Sequence, residues 1–168
     1  MDNQSWLDLG MSVCDHASIQ PGTVEVIRTW EKTQNTVYRL GDQRYLKLYH
    51  RMAERQFAVE CAALQTLAAG GIPAPRLVAA GQGADLPPYV FITAVPGASA
   101  EECWDSLSRA EQLAVARELG AVTAAYQQLP HQPLAAVEQA IGGGHASIQF
   151  EREQRLAEIE AAPTLPEE

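Results

Sequence analysis

The sequence predicts an α+β fold in which a five-stranded antiparallel sheet carries one packed helix and is followed by further helices. Residues 23–49 are rich in β-branched and aromatic residues separated by short turn signals, which is typical of a meander of three strands. Residues 51–69 change to helical spacing. Two more apolar strands, at 76–80 and 89–93, complete the order β-β-β-α-β-β, which places a sheet in one layer and a helix in another.

The N-terminal part begins with a weak helix and continues into the meander. Residues 2–18 carry scattered apolar side chains, and Gly10 weakens the helix that they predict. Gly41-Asp42 predicts a two-residue hairpin turn with glycine first, as a type II′ turn requires. The strands of the meander are predicted at residues 23–30, 36–40 and 43–49.

We divide the chain into an N-terminal lobe, residues 1–97, and a helical part, residues 98–168. Ser108 and Glu111 fit a capping box at the start of a long helix. An apolar stripe at helical spacing follows, and we expect it to pack in a core. Two further helices are expected at 134–141 and 147–162. The stripe consists of Val115, Leu119, Val122, Tyr126 and Leu129.

Composition and charge exclude several classes of partner. The 168 residues carry a net charge of −9 and a pI near 4.9, so they lack the basic surface that nucleic acids and anionic membranes require. Three scattered cysteines form neither a disulfide framework nor a metal cluster. The sequence shows no signal peptide and no apolar stretch of membrane-spanning length. We therefore predict a cytoplasmic protein without a nucleic-acid or membrane partner.

Lys47 is the first candidate for a functional residue. It lies in the third predicted strand, where period 2 places it on the face of Tyr45 and Tyr49 and opposite Leu46 and Leu48. Both faces of this strand carry apolar bulk, which predicts an inner strand. The ammonium then needs a partner, unless the side chain reaches solvent from an edge strand.

Glu60 is the simplest partner for this lysine. It lies three residues after Phe57 and four before Leu64, within the apolar face of the predicted helix. A carboxylate in that position is costly unless it is paired, although a place at the rim of the face would remove the cost. Because the helix directly follows the Lys47 strand, we expect a contact between Lys47 and Glu60. Kinase-like folds use such a pair to orient a lysine toward nucleotide phosphates.

Six segments occur in order between residues 23 and 129. They are Asn35-Thr36-Val37-Tyr38-Arg39-Leu40, Tyr45-Leu46-Lys47-Leu48, Glu60 with Leu64 and Leu67, Gly71-Ile72-Pro73-Ala74-Pro75, Pro88-Tyr89-Val90-Phe91-Ile92-Thr93, and Pro96-Gly97. Together they resemble the N-terminal lobe of aminoglycoside phosphotransferase-type kinases. This protein-kinase-like superfamily also includes choline and homoserine kinases.

The resemblance implies a site for ATP or GTP with Mg²⁺. Lys47 would match the lysine that contacts the phosphates, and Glu60 would match its helix partner. Residues 31–35 would match the loop that covers the phosphates, and Asn35 is the last residue of this loop. This loop contains no glycine, so it departs from the glycine-rich loop of protein kinases.

The resemblance also implies a hinge for the adenine base. Thr93 to Val95 would hydrogen-bond the base through backbone N–H and C=O groups, and Ile92 would match the gatekeeper position behind it. The segment Thr93-Ala94-Val95 lacks the charged residue that many relatives carry. Backbone contacts do not depend on that residue.

The catalytic half of the family pattern is absent from the sequence. None of the four histidines begins a His-x-Asp motif, and no aspartate occurs after Asp105. We therefore expect a helical C-lobe that is incomplete, in a chain truncated before the catalytic loop. The complete enzyme would transfer a γ-phosphoryl group to a hydroxyl of a small-molecule acceptor. We expect the present chain alone to be inactive.

Two other interpretations remain open at this stage. The chain could be a non-catalytic kinase-like module for nucleotide sensing or partner docking, which would require residues 98–168 to close onto the N-terminal lobe. An exposed apolar surface would instead favour a fragment or a homo-oligomer. The third interpretation is an unrelated α+β domain with a chance lysine–glutamate pair, which a large separation of Lys47 and Glu60 would support.

Overall fold

The computed structural model of the chain describes residues 2–29, 35–50, 53–83, 85–130, 133, 135 and 136. Its helices are α1 (Asn3–His16), α2 (Glu54–Ala69), α3 (Ala100–Cys103) and α4 (Arg109–Gln127), with a 3-10 turn at Trp104–Ser106 between the last two. Its strands are β1 (Val24–Arg28), β2 (Asn35–Leu40), β3 (Arg44–Tyr49), β4 (Leu77–Gly81) and β5 (Tyr89–Thr93).

The five strands form one antiparallel sheet in the order β1-β2-β3-β5-β4. The predicted fold class is therefore confirmed, and β3 is the central strand. Lys47 on β3 lies directly opposite Val37 on β2 and Val90 on β5. Cross-strand partners share a face of the sheet, so these three side chains form one row.

The turn between β2 and β3 differs from the prediction. Leu40 pairs with Arg44, so three residues connect the strands rather than the two predicted at Gly41-Asp42. Gly41 adopts a φ of +57°, a conformation that glycine reaches without the steric cost of a Cβ atom. The glycine signal was thus correct for the first turn residue, and the loop length was wrong.

One face of the sheet is covered by α1. Leu46 and Leu48 of β3 are fully buried on this side and pack against Val13 and Cys14 of the helix. The Tyr38 hydroxyl donates a hydrogen bond of 2.9 Å to the backbone carbonyl of Trp6, also in α1. The predicted N-terminal helix is present, and it adds a layer that the sequence did not place. The buried cluster of this face comprises Val13, Cys14, Tyr38, Leu40, Leu46, Leu48, Tyr89 and Phe91.

The opposite face of the sheet is covered by α2, the helix predicted to pack there. Tyr49 and Val90 are buried on this side, and Phe57 and Cys61 of α2 pack against them. The strands thus alternate between two helices, with Leu46 and Leu48 toward α1 and Lys47 and Tyr49 toward α2.

Residues 98–130, the continuous described stretch of the helical part, are more exposed than predicted. Capping boxes are present at Ser99 and Ser108, the second as predicted. However, α4 contains no buried residue, and Leu119 is 66% exposed. The expectation that its stripe packs in a core is therefore wrong for this helix. Leu129, just beyond α4, does lie against Gly70 at the end of α2.

The two later helix predictions, at 134–141 and 147–162, lie outside the described residues apart from 135 and 136, which are helical. In the part of the chain that the structure describes, no helix has both the length and the apolar character needed to cross a membrane.

Candidate active site

Lys47 and Glu60 form an ion pair between β3 and α2. The Lys47 Nζ atom lies 2.7 Å from Oε1 and 2.5 Å from Oε2 of Glu60. The predicted contact is therefore present, and the large separation that would support an unrelated domain is not found. The side chains are 19% and 28% exposed, respectively, so the pair is neither a surface contact nor sealed from solvent.

The alternation of β3 explains why the pair forms. Leu46 and Leu48 direct their side chains into the α1 core, so Lys47 must face α2. Glu60 lies one turn after Phe57, whose side chain packs on the same face of the sheet. Both charged groups are thereby partly removed from water and meet there, which offsets the cost of their desolvation.

Tyr49 adds a third member to this network. Its hydroxyl donates a hydrogen bond to Oε2 of Glu60, and the Lys47 Nζ atom lies 5.4 Å from the centre of its ring. The ring also meets that of Phe57 edge to face at 5.7 Å. Burial raises the pKa of the Tyr49 hydroxyl, and the hydrogen bond to Glu60 raises it further, so this group remains a proton donor.

Cys61, next to Glu60 in α2, is not an activated thiol. Burial raises its pKa to about 11, with a smaller contribution from the Glu60 charge. The thiolate is the reactive form of cysteine, so this environment disfavours nucleophilic chemistry at Cys61.

The predicted hinge follows β5 at the end of the sheet. Ile92 is the penultimate residue of β5 and packs with the α2-side cluster. The Thr93 amide donates to Arg76 O at 2.9 Å, and the Ala94 amide donates to Gln43 O at 2.7 Å. Because Arg76 and Gln43 directly precede β4 and β3, two successive amides are tied to the starts of the neighbouring strands, which fixes the backbone just before Val95.

Val95 itself is 61% exposed. Among the described residues, its amide has no hydrogen-bond acceptor. It is therefore a backbone donor that a ligand could use.

Asn35 is the first residue of β2 and pairs with Tyr49 of β3. It therefore lies in register with the residue that contacts Glu60. The rest of the predicted phosphate loop, residues 31–34, lies outside the described residues. The structure thus brings Asn35 to the Lys47 side of the sheet.

Tyr45 was not among the site residues predicted from the sequence. It lies two residues before Lys47 on the same face and pairs across strands with Ile92. Its partly buried ring and Ile92 form an apolar row beside the charged pair. Period 2 had already placed Tyr45 on the Lys47 face, and the missing information was its pairing with Ile92.

No cluster of three metal-ligating side chains occurs within the described ranges. A cavity of about 500 Å³ lies away from Lys47, between the end of α2 and the segment after α4. None of the six predicted site residues lines it. The cavity is lined by Ala62, Gln65, Thr66, Ala69, Gly70, Pro130 and Pro133.

Comparison with known proteins gives one family. No curated protein and no solved structure matches the chain. The model of the phosphotransferase enzyme family matches residues 26–166, a span that includes β2 to β5, α2 and the whole of α4. The central lysine strand, the glutamate helix and the match over most of the sequence together show that the chain belongs to the phosphotransferase enzyme family.

Proposed function

We propose that this chain binds a nucleotide, ATP or GTP with Mg²⁺, and that Lys47 contacts its phosphates. It would be the nucleotide-binding part of a small-molecule kinase of the aminoglycoside phosphotransferase type, which transfers a γ-phosphoryl group to an acceptor hydroxyl. The observation that carries the proposal is the Lys47–Glu60 ion pair between β3 and α2. The family membership of the chain supports the same reaction class.

The geometry of Lys47 suits an anionic ligand. An ammonium group has three N–H donors, and Glu60 accepts from Lys47 through both carboxylate oxygens. Within the described structure these are its hydrogen bonds, so a donor remains for a phosphate oxygen. Because the side chain is already held in one orientation, less conformational entropy is lost when the ligand binds.

The base would lie along the apolar row beside the pair. Tyr45 and Ile92 provide an aromatic and an aliphatic surface for a planar ring. The Val95 amide, which has no acceptor among the described residues, provides a donor at the edge of that surface, and Thr93 lies between Ile92 and Val95 along the chain. Asn35 lies on the same face of the sheet, on the β2 side of Lys47 and away from Ile92, and it directly follows the predicted phosphate loop in the sequence. This order matches a nucleotide laid across β2, β3 and β5.

The lobe boundary at residues 97 and 98 is part of the proposal. Residues 1–97 would hold the nucleotide, and residues 98–168 would begin the part that holds the acceptor. The described side chains fit the phosphates through Lys47 and provide no cluster for the metal, so the proposal assigns no Mg²⁺ ligand to this chain. It likewise assigns no catalytic base, since the sequence has no His-x-Asp motif. We place this function in the cytoplasm, where free thiols such as those of the three cysteines persist.

Isothermal titration calorimetry with Mg-ATP and Mg-GTP tests the proposal. We expect measurable binding of at least one nucleotide to the wild-type chain and a loss of about tenfold or more in affinity for Lys47→Ala. Arg44→Ala is the matched control, because it removes the same charge from the opposite face of the same strand. No heat of binding with either nucleotide, or equal loss in both variants, would contradict the proposed function.

A further inference from the structure

Tyr49 contributes more to the site than its ring. It is 1% exposed at the end of β3, and its hydroxyl is directed at Glu60 rather than at a backbone group. A buried phenol hydroxyl requires a hydrogen-bond partner, and a carboxylate is a strong acceptor. The hydroxyl thus ties the end of β3 to α2 at the atom that also accepts from Lys47.

The two oxygens of Glu60 have different surroundings. Oε1 accepts from Lys47 at 2.7 Å, whereas Oε2 accepts from Lys47 and from the Tyr49 hydroxyl. Without Tyr49, the lysine would be the one described donor to this carboxylate. Any ligand that draws the ammonium away would then leave a partly buried negative charge uncompensated, which is costly.

We propose that Tyr49 is a positioning residue whose hydroxyl holds the Glu60 carboxylate so that Lys47 stays presented to the nucleotide phosphates. This inference rests on the proposed function, because it assumes that phosphates are the ligand of Lys47. The phenol donates to Oε2 both before and after Lys47 turns toward a phosphate. Glu60 therefore keeps its orientation while the ammonium shares its donors between carboxylate and ligand.

The ring of Tyr49 has a separate, structural role. It packs edge to face against Phe57 and lies 5.4 Å from the Lys47 ammonium. Tyr49→Phe keeps both ring contacts and removes the O–H donor alone. The chain also provides a matched control in Tyr38, a fully buried tyrosine whose hydroxyl donates to Trp6 O on the α1 face. Tyr38→Phe removes an equivalent buried hydroxyl without touching Glu60.

The first measurement is the acylation rate of Lys47 by an N-hydroxysuccinimide ester, followed by mass spectrometry. The sequence has two lysines, Lys32 and Lys47, so the labelled peptides are readily distinguished. We expect Tyr49→Phe to lower the Lys47 rate by about threefold or more, because Glu60 then accepts from the ammonium alone and holds it more tightly. Tyr38→Phe should leave the rate at its wild-type value. An unchanged rate in Tyr49→Phe would overturn the inference.

The second measurement is the affinity for Mg-ATP in a double-mutant cycle of Tyr49→Phe and Glu60→Gln. If Tyr49 acts through Glu60, the tyrosine substitution weakens binding about tenfold in the wild-type background and has little effect in the Glu60→Gln background. Additive losses would show a merely structural role and overturn the inference. Circular dichroism verifies that all variants are folded.

The two proposals fail in different ways. A wild-type chain that does not bind Mg-ATP or Mg-GTP contradicts the proposed function, and the acylation rate then decides alone whether Tyr49 holds Lys47 in place. A wild-type chain that binds nucleotide, with Tyr49→Phe binding equally well, contradicts the role of Tyr49 and leaves the proposed function standing.

Discussion

The two faces of the sheet are built from the same strands and differ in what they bury. On the α1 face, β3 contributes Leu46 and Leu48 to a fully buried, predominantly apolar cluster. On the α2 face, the same strand contributes Lys47 and Tyr49 to a hydrogen-bonded network around Glu60. Successive residues of β3 thus contribute in turn to an apolar core on one face of the sheet and to a charged network on the other.

The difference shows how this lobe separates stability from ligand binding. The α1 face excludes water, so its side chains can contribute the full hydrophobic free energy of burial. The α2 face leaves Lys47 and Glu60 partly exposed, which lowers their desolvation cost and keeps a charge accessible. We therefore expect substitutions on the first face to change the free energy of unfolding most, and substitutions on the second to change binding most.

The largest expected effect is on stability at the α1 face. Leu48→Ala should lower the free energy of unfolding by about 2–5 kcal/mol, because it leaves a cavity in a fully buried cluster. Urea unfolding followed by circular dichroism measures this change. The matched change on the α2 face replaces the whole network by apolar residues, as Lys47→Met, Tyr49→Phe and Glu60→Met together.

This triple variant should remain within about 1 kcal/mol of the wild type, since apolar replacement of an entire buried ion pair is often neutral. It should also lose nucleotide binding. A triple variant less stable than Leu48→Ala would contradict the division between the two faces.

A second prediction compares two helical glycines. An added Cβ atom at Gly10 of α1 would lie 2.7 Å from the Tyr38 ring, whereas nothing lies within 4 Å of the equivalent position at Gly120 of α4. Gly10→Ala should therefore destabilise the protein by about 1–3 kcal/mol through overpacking. Gly120→Ala should increase the stability of its helix by about 0.5–1 kcal/mol through helix propensity alone.

Thermal unfolding of the two glycine variants provides the measurement. A stabilised Gly10→Ala variant would show that α1 does not press against the sheet as closely as the contact with Tyr38 requires.

The smallest expected effect lies outside both faces, at the start of α4. The Ser108 side chain and backbone hydrogen-bond Glu111, and these bonds hold the pKa of the Glu111 carboxyl below its usual range. A lowered pKa in the folded state gives stability that is present above the usual pKa and is lost as the pH falls through the lowered value. Ser108→Ala should cost about 1 kcal/mol of helix stability at neutral pH.

We expect the difference between Ser108→Ala and the wild type to shrink on acidification through the carboxyl range. Helix content followed by circular dichroism across that range measures it. A difference that stays constant with pH would show that the Glu111 carboxylate takes no part in the cap.

The sequence predicted the features that depend on local pattern. Period 2 placed Lys47 opposite Leu46 and Leu48, and helical spacing placed Glu60 beside Phe57. Because β3 and α2 are consecutive, the ion pair followed from these two periods and the adjacency of the elements. The antiparallel sheet and the Ser108 capping box rested on similarly local signals, and both are confirmed.

The features that depend on distant partners could not be predicted in the same way. The packing of α1 on the sheet was not predicted, because Gly10 weakens the helix signal in the sequence. The structure shows why a glycine lies there, since a Cβ atom at this position would contact the Tyr38 ring. The prediction that α4 is buried was wrong, because an amphipathic stripe indicates which face of a helix is apolar but not which element covers that face. Period 2 correctly placed Tyr49 on the Lys47 face of the sheet, but the hydrogen bond from its hydroxyl to Glu60 depends on side-chain geometry, which a sequence pattern does not specify.

The contact between Lys47 and Glu60 joins residues only 13 positions apart. A short loop costs little entropy to close, and both side chains of this contact come from one strand and the helix that follows it. Residues 44–69 contain the lysine, the tyrosine and the glutamate together. A circularly permuted version of this lobe that keeps those consecutive residues, together with the α1 core and the two strands that pair with β3, would therefore retain all three members of the network.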